Sequence, residues 1–322
     1  MASSKIYSCL DKALKEPDNV FTLDLSHQEL DRIPDDLNRL SKLVELDLSS
    51  NELIHLSPTI EDLQNLKILW LTGNCFQDFP CEVFQLPNLE RLYLSYNKIE
   101  SLPELTSSCS LTTLWISHNN LQEIHSSWEQ VSTLSSLIAS CNKLPIIPNS
   151  LRKLPQLITL DLSENHICEI PDGLYWPQLK KLHIWNNHIT TVSHKISGCC
   201  SLEEFDISGN YLSSIPNEIN ALTNLKMFDL RKNKLKEIPS SIGDCKNLEN
   251  LLLSYNKLGS IPLRISELLN LKELSLYNND LSELPPVLDK LCQLEEISLQ
   301  ENPITKESIE FLKQKLPHTY FH

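Results

Sequence analysis

Residues 40–53 read LSKLVELDLSSNEL, residues 63–76 LQNLKILWLTGNCF, residues 86–99 LPNLERLYLSYNKI and residues 222–235 LTNLKMFDLRKNKL. All four follow one pattern, L-x-x-L-x-L-x-x-N-x-L. Its asparagine position recurs at Gln28, Asn51, Asn74, Asn97, Asn119, Asn142, Asn165, Asn187, Asn210, Asn233, Asn256, Asn279 and Asn302. Ten of the twelve intervals are 23 residues, and the two that end at Asn119 and Asn187 are 22. A fixed period of this length marks an array of stacked units, here thirteen with Gln28 as the one substituted member.

Within a unit the L-x-L part alternates apolar and polar residues, as a short half-buried strand does. Between the asparagines runs a second pattern, seen in DRIPDDLNRL (31–40), KEIPSSIGDC (236–245), GSIPLRISEL (259–268) and SELPPVLDKL (282–291). Proline has no N–H for a sheet ladder, so this segment is not a central strand and returns on the opposite side of the coil. Each unit is then a strand, a turn and a short return, and stacking them gives a parallel inner sheet whose strands sit closer than the bulkier outer segments. The asparagine amide fits a structural role where the chain leaves the strand, satisfying backbone groups in the turn.

These motifs resemble the leucine-rich-repeat family over nearly the whole chain. The 23-residue unit with its I/L-P step is similar to the class found in Ras-suppressor and Scribble-type intracellular proteins and in effectors of pathogenic bacteria. The opening ALKEPDNVFTLDLSHQELDRIP (13–34) resembles that of the bacterial members. The expected fold is an α/β leucine-rich-repeat solenoid, a horseshoe of about 13 repeats with a parallel inner sheet, an irregular or short helical convex side and helical caps at both ends.

The ends of a solenoid need covering. Residues 3 to 16 place Ile6, Leu10, Ala13 and Leu14 on one helical face, with Ser3 or Ser4 as N-cap and Pro17 as the stop. At the other end Thr305 caps a helix with an Ile309, Leu312 and Leu316 stripe, stopped by Pro317. The expected organisation is one continuous domain, with a helical cap at 1–19, a solenoid at 20–304 and a helical cap at 305–322; with both caps present the chain reads as complete, with no enzyme module left over. The I/L-P step is missing at Ile124-His125 and Val192-Ser193, so units near 121–133 and 189–200 are expected to have irregular outer segments. Drift on a tolerant outer side explains them better than a bulge marking a partner site.

Bulk composition excludes several classes. The 322 residues are 41% hydrophobic, ample for a core, and the net charge of −14 opposes phosphate backbones and anionic membranes, so nucleic acid is not an expected partner. No stretch is apolar for long enough to serve as a signal-peptide core or to span a membrane, so no membrane insertion is expected. Ten scattered cysteines form no C-x-x-C pair, and no N-x-Ser/Thr sequon occurs, which together favour free thiols in a reducing compartment. The expected location is cytoplasmic or, for a bacterial effector, the cytoplasm of a host cell. Cys109, Cys199 and Cys245 stand at leucine positions of the return segment and are expected in the core as small hydrophobes. His194, Cys199 and Cys200 offer only a weak zinc set, because Cys199 points inward and no fourth ligand is apparent. No cofactor or metal is expected.

The chemistry of the unit lies in its outward strand positions. The central one reads Asp24, Asp47, Trp70, Tyr93, Trp115, Ile138, Asp161, His183, Asp206, Asp229, Leu252, Ser275 and Ser298. The run Trp70, Tyr93, Trp115, Ile138 breaks a polar column, and Ile68, Arg91, Tyr96 and His118 occupy neighbouring outward positions. Adjacent strands lie about 4.8 Å apart, so this is a contiguous aromatic patch. Trp, Tyr and Arg dominate interface energetics, and large exposed apolar patches are uncommon on monomers. The competing account is that the rings stack on one another and stiffen the sheet. A second outward set is Lys181, His183 and Trp185 beside Glu204, Asp206 and Asp229, and a third is Arg231 and Lys232 with Tyr255 and Tyr277. Asp161, Asp206 and Asp229 either attract a basic partner segment or form a solvated face.

Catalytic signatures are missing: with six glycines there is no phosphate-binding G-x-x-x-x-G-K-S/T, and there is no H-E-x-x-H. Cys141 near His118 is a conceivable nucleophile pair with no third group to orient the base. The sequence therefore points to a non-catalytic scaffold or adaptor, a monomer or weak homodimer, that binds a protein partner on its concave sheet. The family likeness implies a signalling partner or, for an effector, a host protein. The alternative is a regulatory or targeting subunit of a phosphatase, ubiquitin ligase or small GTPase.

Overall fold

The structure is a computed structural model and describes residues 5–105, 109–152, 154–174 and 176–322. It contains two compact units, the first made of residues 1–144 with 148–157 and the second of 145–147 with 158–322. In the first unit the strands Ile6–Tyr7, Thr22–Asp24, Glu45–Asp47, Ile68–Trp70, Arg91–Tyr93, Thr113–Trp115 and Ser136–Ile138 pair in that order, all parallel. In the second, the order is Thr159–Asp161, Lys181–His183, Glu204–Asp206, Met227–Asp229, Asn250–Leu252, Glu273–Ser275, Glu296–Ser298 and Tyr320–Phe321, again all parallel. Pairing joins equivalent residues of successive repeats: Leu46 faces Leu69 and Leu69 faces Leu92. Because side chains alternate along a strand, this register sends every central residue inward. Leu23, Leu46, Leu69, Leu92 and Leu114 in the first unit, and Leu182, Phe205, Phe228 and Leu274 in the second, are completely buried.

The asparagines build the ladder expected of them. Asn97 donates its amide to Leu71 O and Leu94 O at 3.0 Å, and its Oδ1 accepts the Phe76 N–H at 3.1 Å. Asn210 repeats this with Ile184 O, Ile207 O and the Ile189 N–H. The residue just before the ladder position has a left-handed backbone in every repeat, from His27 through Tyr96 and His118 to Lys232, Tyr255 and Glu301. Only Gly73 and Gly209 fill it without the ordinary side-chain penalty, roughly 1–2 kcal/mol for other residues. The amide bonds outweigh that cost by holding otherwise unpaired buried carbonyls. A second ladder, not foreseen from the sequence, uses the asparagine of L-x-N-L: Asn65 donates to Ser41 O, Asn88 to Gln64 O, Asn224 to Cys200 O, Asn247 to Thr223 O and Asn270 to Lys246 O, each at 2.8–2.9 Å.

The return segments are mostly single 3₁₀ turns that begin at the I/L-P proline, as at Asp35–Arg39, Asn217–Ala221 and Leu263–Glu267. The two units expected to be irregular both keep their turns, and the one at 121–133 differs in an outer strand, Glu123–Ile124, that pairs in parallel with Ser101–Leu102. His125 and Ser193 stand where proline does and cap their turns with side chains: His125 Nδ1 accepts the Ser127 N–H at 3.3 Å and Ser193 Oγ accepts the Lys195 N–H at 3.0 Å. The turns Ser126–Gln130 and His194–Cys199 then follow normally. A side-chain acceptor pairs one of a turn's first N–H groups, whereas proline at the same position brings no acceptor and only presets the backbone.

The N-terminal expectation is also corrected. The helix covers only Leu10–Ala13, follows Cys9 without a side-chain cap, and is preceded by the Ile6–Tyr7 strand, which pairs with Thr22 and Leu23. Ile6 is exposed rather than on a helical apolar face, and Ser3 and Ser4 lie outside the described residues. Edge pairing with the first full repeat satisfies more backbone groups than a further helical turn would. At the other end the helix Lys306–Lys315 forms as read. Thr305 Oγ1 accepts the Ser308 N–H, Leu312 and Leu316 are buried and Ile309 is half-buried; a further strand, Tyr320–Phe321, follows. Cys199 and Cys245 are buried as expected, and burial pushes their thiols up to about 12 and about 11. Cys109 is only half-buried, so it is not a full core residue.

Candidate functional site

The strand register brings the predicted aromatic run together. Trp70 is the sheet partner of Tyr93, Tyr93 of Trp115, and Trp115 of Ile138. The Trp70 and Tyr93 rings stack with centroids 5.5 Å apart and planes at 9°, and Trp115 meets Tyr93 edge-on at 4.9 Å. Trp70, Tyr93 and Ile138 are half-buried, while Trp115 keeps 44% of its surface exposed. The rings thus support one another, as the stiffening account holds, yet they do not close the patch.

Ile68 and Arg91 are register partners on the same face, Ile68 half-buried and Arg91 exposed. Tyr96 and His118 reach the patch differently. Both stand at the left-handed turn position, where φ is 57° and 53°, and their rings stack at 4.2 Å with planes at 10°. Between the strand column and this pair runs a row of hydroxyls, Thr72, Ser95, Ser117 and Ser140, in which Ser117 and Ser140 lie 2.9 Å apart. The face of the first unit therefore offers an apolar aromatic platform, one guanidinium, an exposed Tyr–His pair and a hydroxyl strip. An anchor with adjacent hydrogen-bonding groups is suited to a protein surface.

The equivalent face of the second unit is charged and largely closed on itself. Lys181 pairs with Glu204 at 2.8 Å, and His183 Nε2 lies 3.7 Å from the same carboxylate. Trp185 is half-buried. Asp229 is 1% exposed, and the Arg231 guanidinium holds it through Nε at 2.9–3.0 Å, so it is not open to a basic partner. The aspartate column has a local role. Asp24, Asp47, Asp161, Asp206 and Asp229 each accept the N–H two residues on, at 2.8–3.0 Å. Burial pushes the Asp206 carboxyl above its ordinary value, with Asp229 adding repulsion. Tyr255 and Tyr277 meet edge-on at 5.1 Å.

Sequence reasoning missed an outer aromatic cluster in the first unit. Phe79 and Phe84 stack at 5.4 Å, Trp128 meets Phe79 edge-on at 5.8 Å, and Trp128 Nε1 donates to Pro103 O at 2.8 Å. These rings are buried and serve packing. The signal was Trp128 at the inward position of its turn, where the other described turns have Ile, Leu or Val. No cluster of three or more metal-ligating side chains occurs among the described residues, and no helix among them is long and apolar enough to cross a membrane.

The repeats match the family described as leucine rich repeat over residues 109–167, 177–235 and 200–258, and as paired leucine rich repeats over 87–128 and 269–314, together well over half of the chain. Among solved structures it is similar to a leucine-rich-repeat protein of Leptospira interrogans, 29% identical over 99% of both chains with a TM-score of 0.69. It is also similar to the plant peptide hormone receptor RGFR1 solved in complex with RGF2, 28% identical over 96% of this chain and 56% of that one, TM-score 0.71. Rabbit (Oryctolagus cuniculus) fibromodulin is 32% identical over 99 residues, 30% of this chain and 51% of fibromodulin. The chain spans at most about half the length of the curated relatives it matches. The chain belongs to the leucine-rich-repeat family, whose members generally mediate protein–protein interaction.

Proposed function

We propose that this chain is a non-catalytic scaffold or adaptor that takes a protein partner on the sheet face of its first unit. The observation that carries the reading is the half-open column of Trp70, Tyr93, Trp115 and Ile138 on four successive strands. Ring-on-ring stacking fixes the anchors before binding, which lowers the ordering entropy a partner must overcome. Trp70, Tyr93 and Trp115 are the anchors, and Arg91, Tyr96 and His118 supply directional contacts. The peptide hormone receptor solved with its ligand supports binding to a polypeptide as a use of this fold. Ten cysteines without a sequon favour work in a reducing cytoplasm, in signalling or as an effector inside a host cell.

The test is affinity capture from lysate with wild type and a Trp70→Ala/Tyr93→Ala/Trp115→Ala variant, with circular dichroism showing both folded. Each buried anchor of this kind is worth about 2 kcal/mol, so the triple variant should lose its partner by a hundredfold or more. Unchanged capture would sink the assignment. Sedimentation of the same pair tells whether the patch instead joins two copies of the chain.

A further inference from the structure

Five lysines of the second unit are ion-paired. Glu203 is shared by Lys180 at 2.9 Å and Lys226 at 2.8 Å, Lys181 takes Glu204, Lys246 takes Glu267 and Lys272 takes Glu249. The turn edge of the same unit brings unpaired ones together. Lys232, Lys234 and Lys257 are exposed, and none forms an ion pair among the described residues. They are held close together. Lys234 N donates to Leu212 O at 2.9 Å and Lys257 N to Leu235 O at 2.8 Å, so their backbones sit one repeat apart, roughly 5 Å. Lys232 lies two residues before Lys234, in the left-handed turn, with the ladder residue Asn233 between them. Two exposed tyrosines frame the group: Tyr211, whose ring lies 4.4 Å beneath the Lys234 ammonium, and Tyr255, which follows Lys232 one repeat on. Lys236, also exposed, follows Lys234 two residues on, and Asp280 stands one repeat beyond Lys257, its N–H on Leu258 O at 3.0 Å. Other exposed lysines of the unit, Lys195, Lys290 and Lys306 among them, also form no ion pair among the described residues; what marks this edge is that three stand together on two adjacent turns of a chain whose net charge is −14.

We propose that this edge is a docking site for a carboxylate-rich peptide segment, held by Lys232, Lys234 and Lys257 with the Tyr211 and Tyr255 hydroxyls as added donors. Two physical arguments select that occupant. Fields are screened over about 8 Å at physiological ionic strength, so a short acidic segment meets the local lysines, whereas a nucleic acid or membrane surface extends into the field of the acidic remainder. Among the described residues the guanidinium beside the patch, Arg231, is committed to Asp229, so the bidentate fork suited to phosphate is taken and point-charge ammonium groups remain. The ladder pins the turns, since Asn233 and Asn256 accept the N–H groups of Leu212 and Leu235 at 3.0 Å, and only side-chain order is lost on binding.

The site is independent of the aromatic face and is tested separately. A fluorescent short Glu/Gly peptide is titrated by anisotropy against wild type, Lys232→Gln/Lys234→Gln/Lys257→Gln, and a control Lys195→Gln/Lys290→Gln/Lys306→Gln that neutralises exposed lysines elsewhere. Wild type and control should bind alike, and the first variant should bind roughly tenfold or more weakly, with a flatter salt dependence. All six positions are exposed and off the asparagine ladder, so circular dichroism should not change. The proposal is overturned if wild type does not bind the peptide at low salt, or if both variants bind alike. Much tighter binding of an equally charged phosphopeptide would equally overturn the carboxylate assignment.

Discussion

The sheet faces of the two units share a backbone and differ in what they present. In the first, the central outward column runs Trp70, Tyr93, Trp115, Ile138; in the second, its middle runs His183, Asp206, Asp229, Leu252. The first leaves apolar rings half-open, while the second ties its charges together, Arg231 on Asp229 and Lys181 on Glu204. The scaffold fixes inward leucines and turn asparagines equally in both. Outward positions are held less uniformly: the aspartates accept the N–H two residues on, while Trp70, Tyr93, Trp115 and Ile138 stand at the same position as apolar side chains.

The comparison breaks if the shared skeleton is not equally important in both places. Asn97→Ala and Asn210→Ala should each lower the unfolding free energy by about 3 kcal/mol or more, since each leaves two buried carbonyls and one N–H without the amide. Urea unfolding of the two variants checks this. A large loss in one unit and none in the other would mean that the ladder is not a common support.

A smaller effect sharpens the contrast between the faces. Tyr93→Ala removes the ring that touches both tryptophans and should cost about 1–2 kcal/mol from lost area and ring contacts. Lys181→Ala loses one exposed ion pair and should cost less than about 1 kcal/mol. Equal losses in urea titrations would show that the aromatic column is no more important to the fold than the charged one.

How far the sequence revealed this molecule follows from which constraints repeat. The period, the inward leucines, the asparagine ladder and the Lys306–Lys315 helix were legible because each obeys a local rule visible in every unit or in one cap. The Asp column misled, because an outward carboxylate reads as a solvated or steering charge until it is seen accepting the N–H two residues on. His125 and Ser193 misled in the opposite way. Reading proline as the sign of the turn hid that a side-chain acceptor starts the same turn by a different means. Ile6 was placed on a helix because its spacing suited one, yet a neighbouring strand offered its backbone a better set of partners. The aromatic run was legible as an anomaly, while the stacking geometry within it was not, since side-chain angles are set by contact across strands.

The smallest effect concerns the ion pairs of the second unit. The Lys226 ammonium, then Lys180, holds the Glu203 carboxyl down to about 2, and the Arg264 guanidinium, then Lys246, does the same for Glu267. A carboxyl whose folded value lies below its ordinary 4.5 favours folding above that value, and the benefit is lost as pH falls from about 4.5 toward about 2. Both groups lie half-buried at the surface within reach of salt, so screening makes the contribution slight and itself salt-dependent. Glu203→Gln/Glu267→Gln should therefore flatten the fall of the urea midpoint across that pH interval at low salt, and high salt should erase the difference from wild type. A variant that keeps the full acid sensitivity would place it in other carboxylates, and the charge pairing of this face would then hold lysine side chains in position without adding to stability.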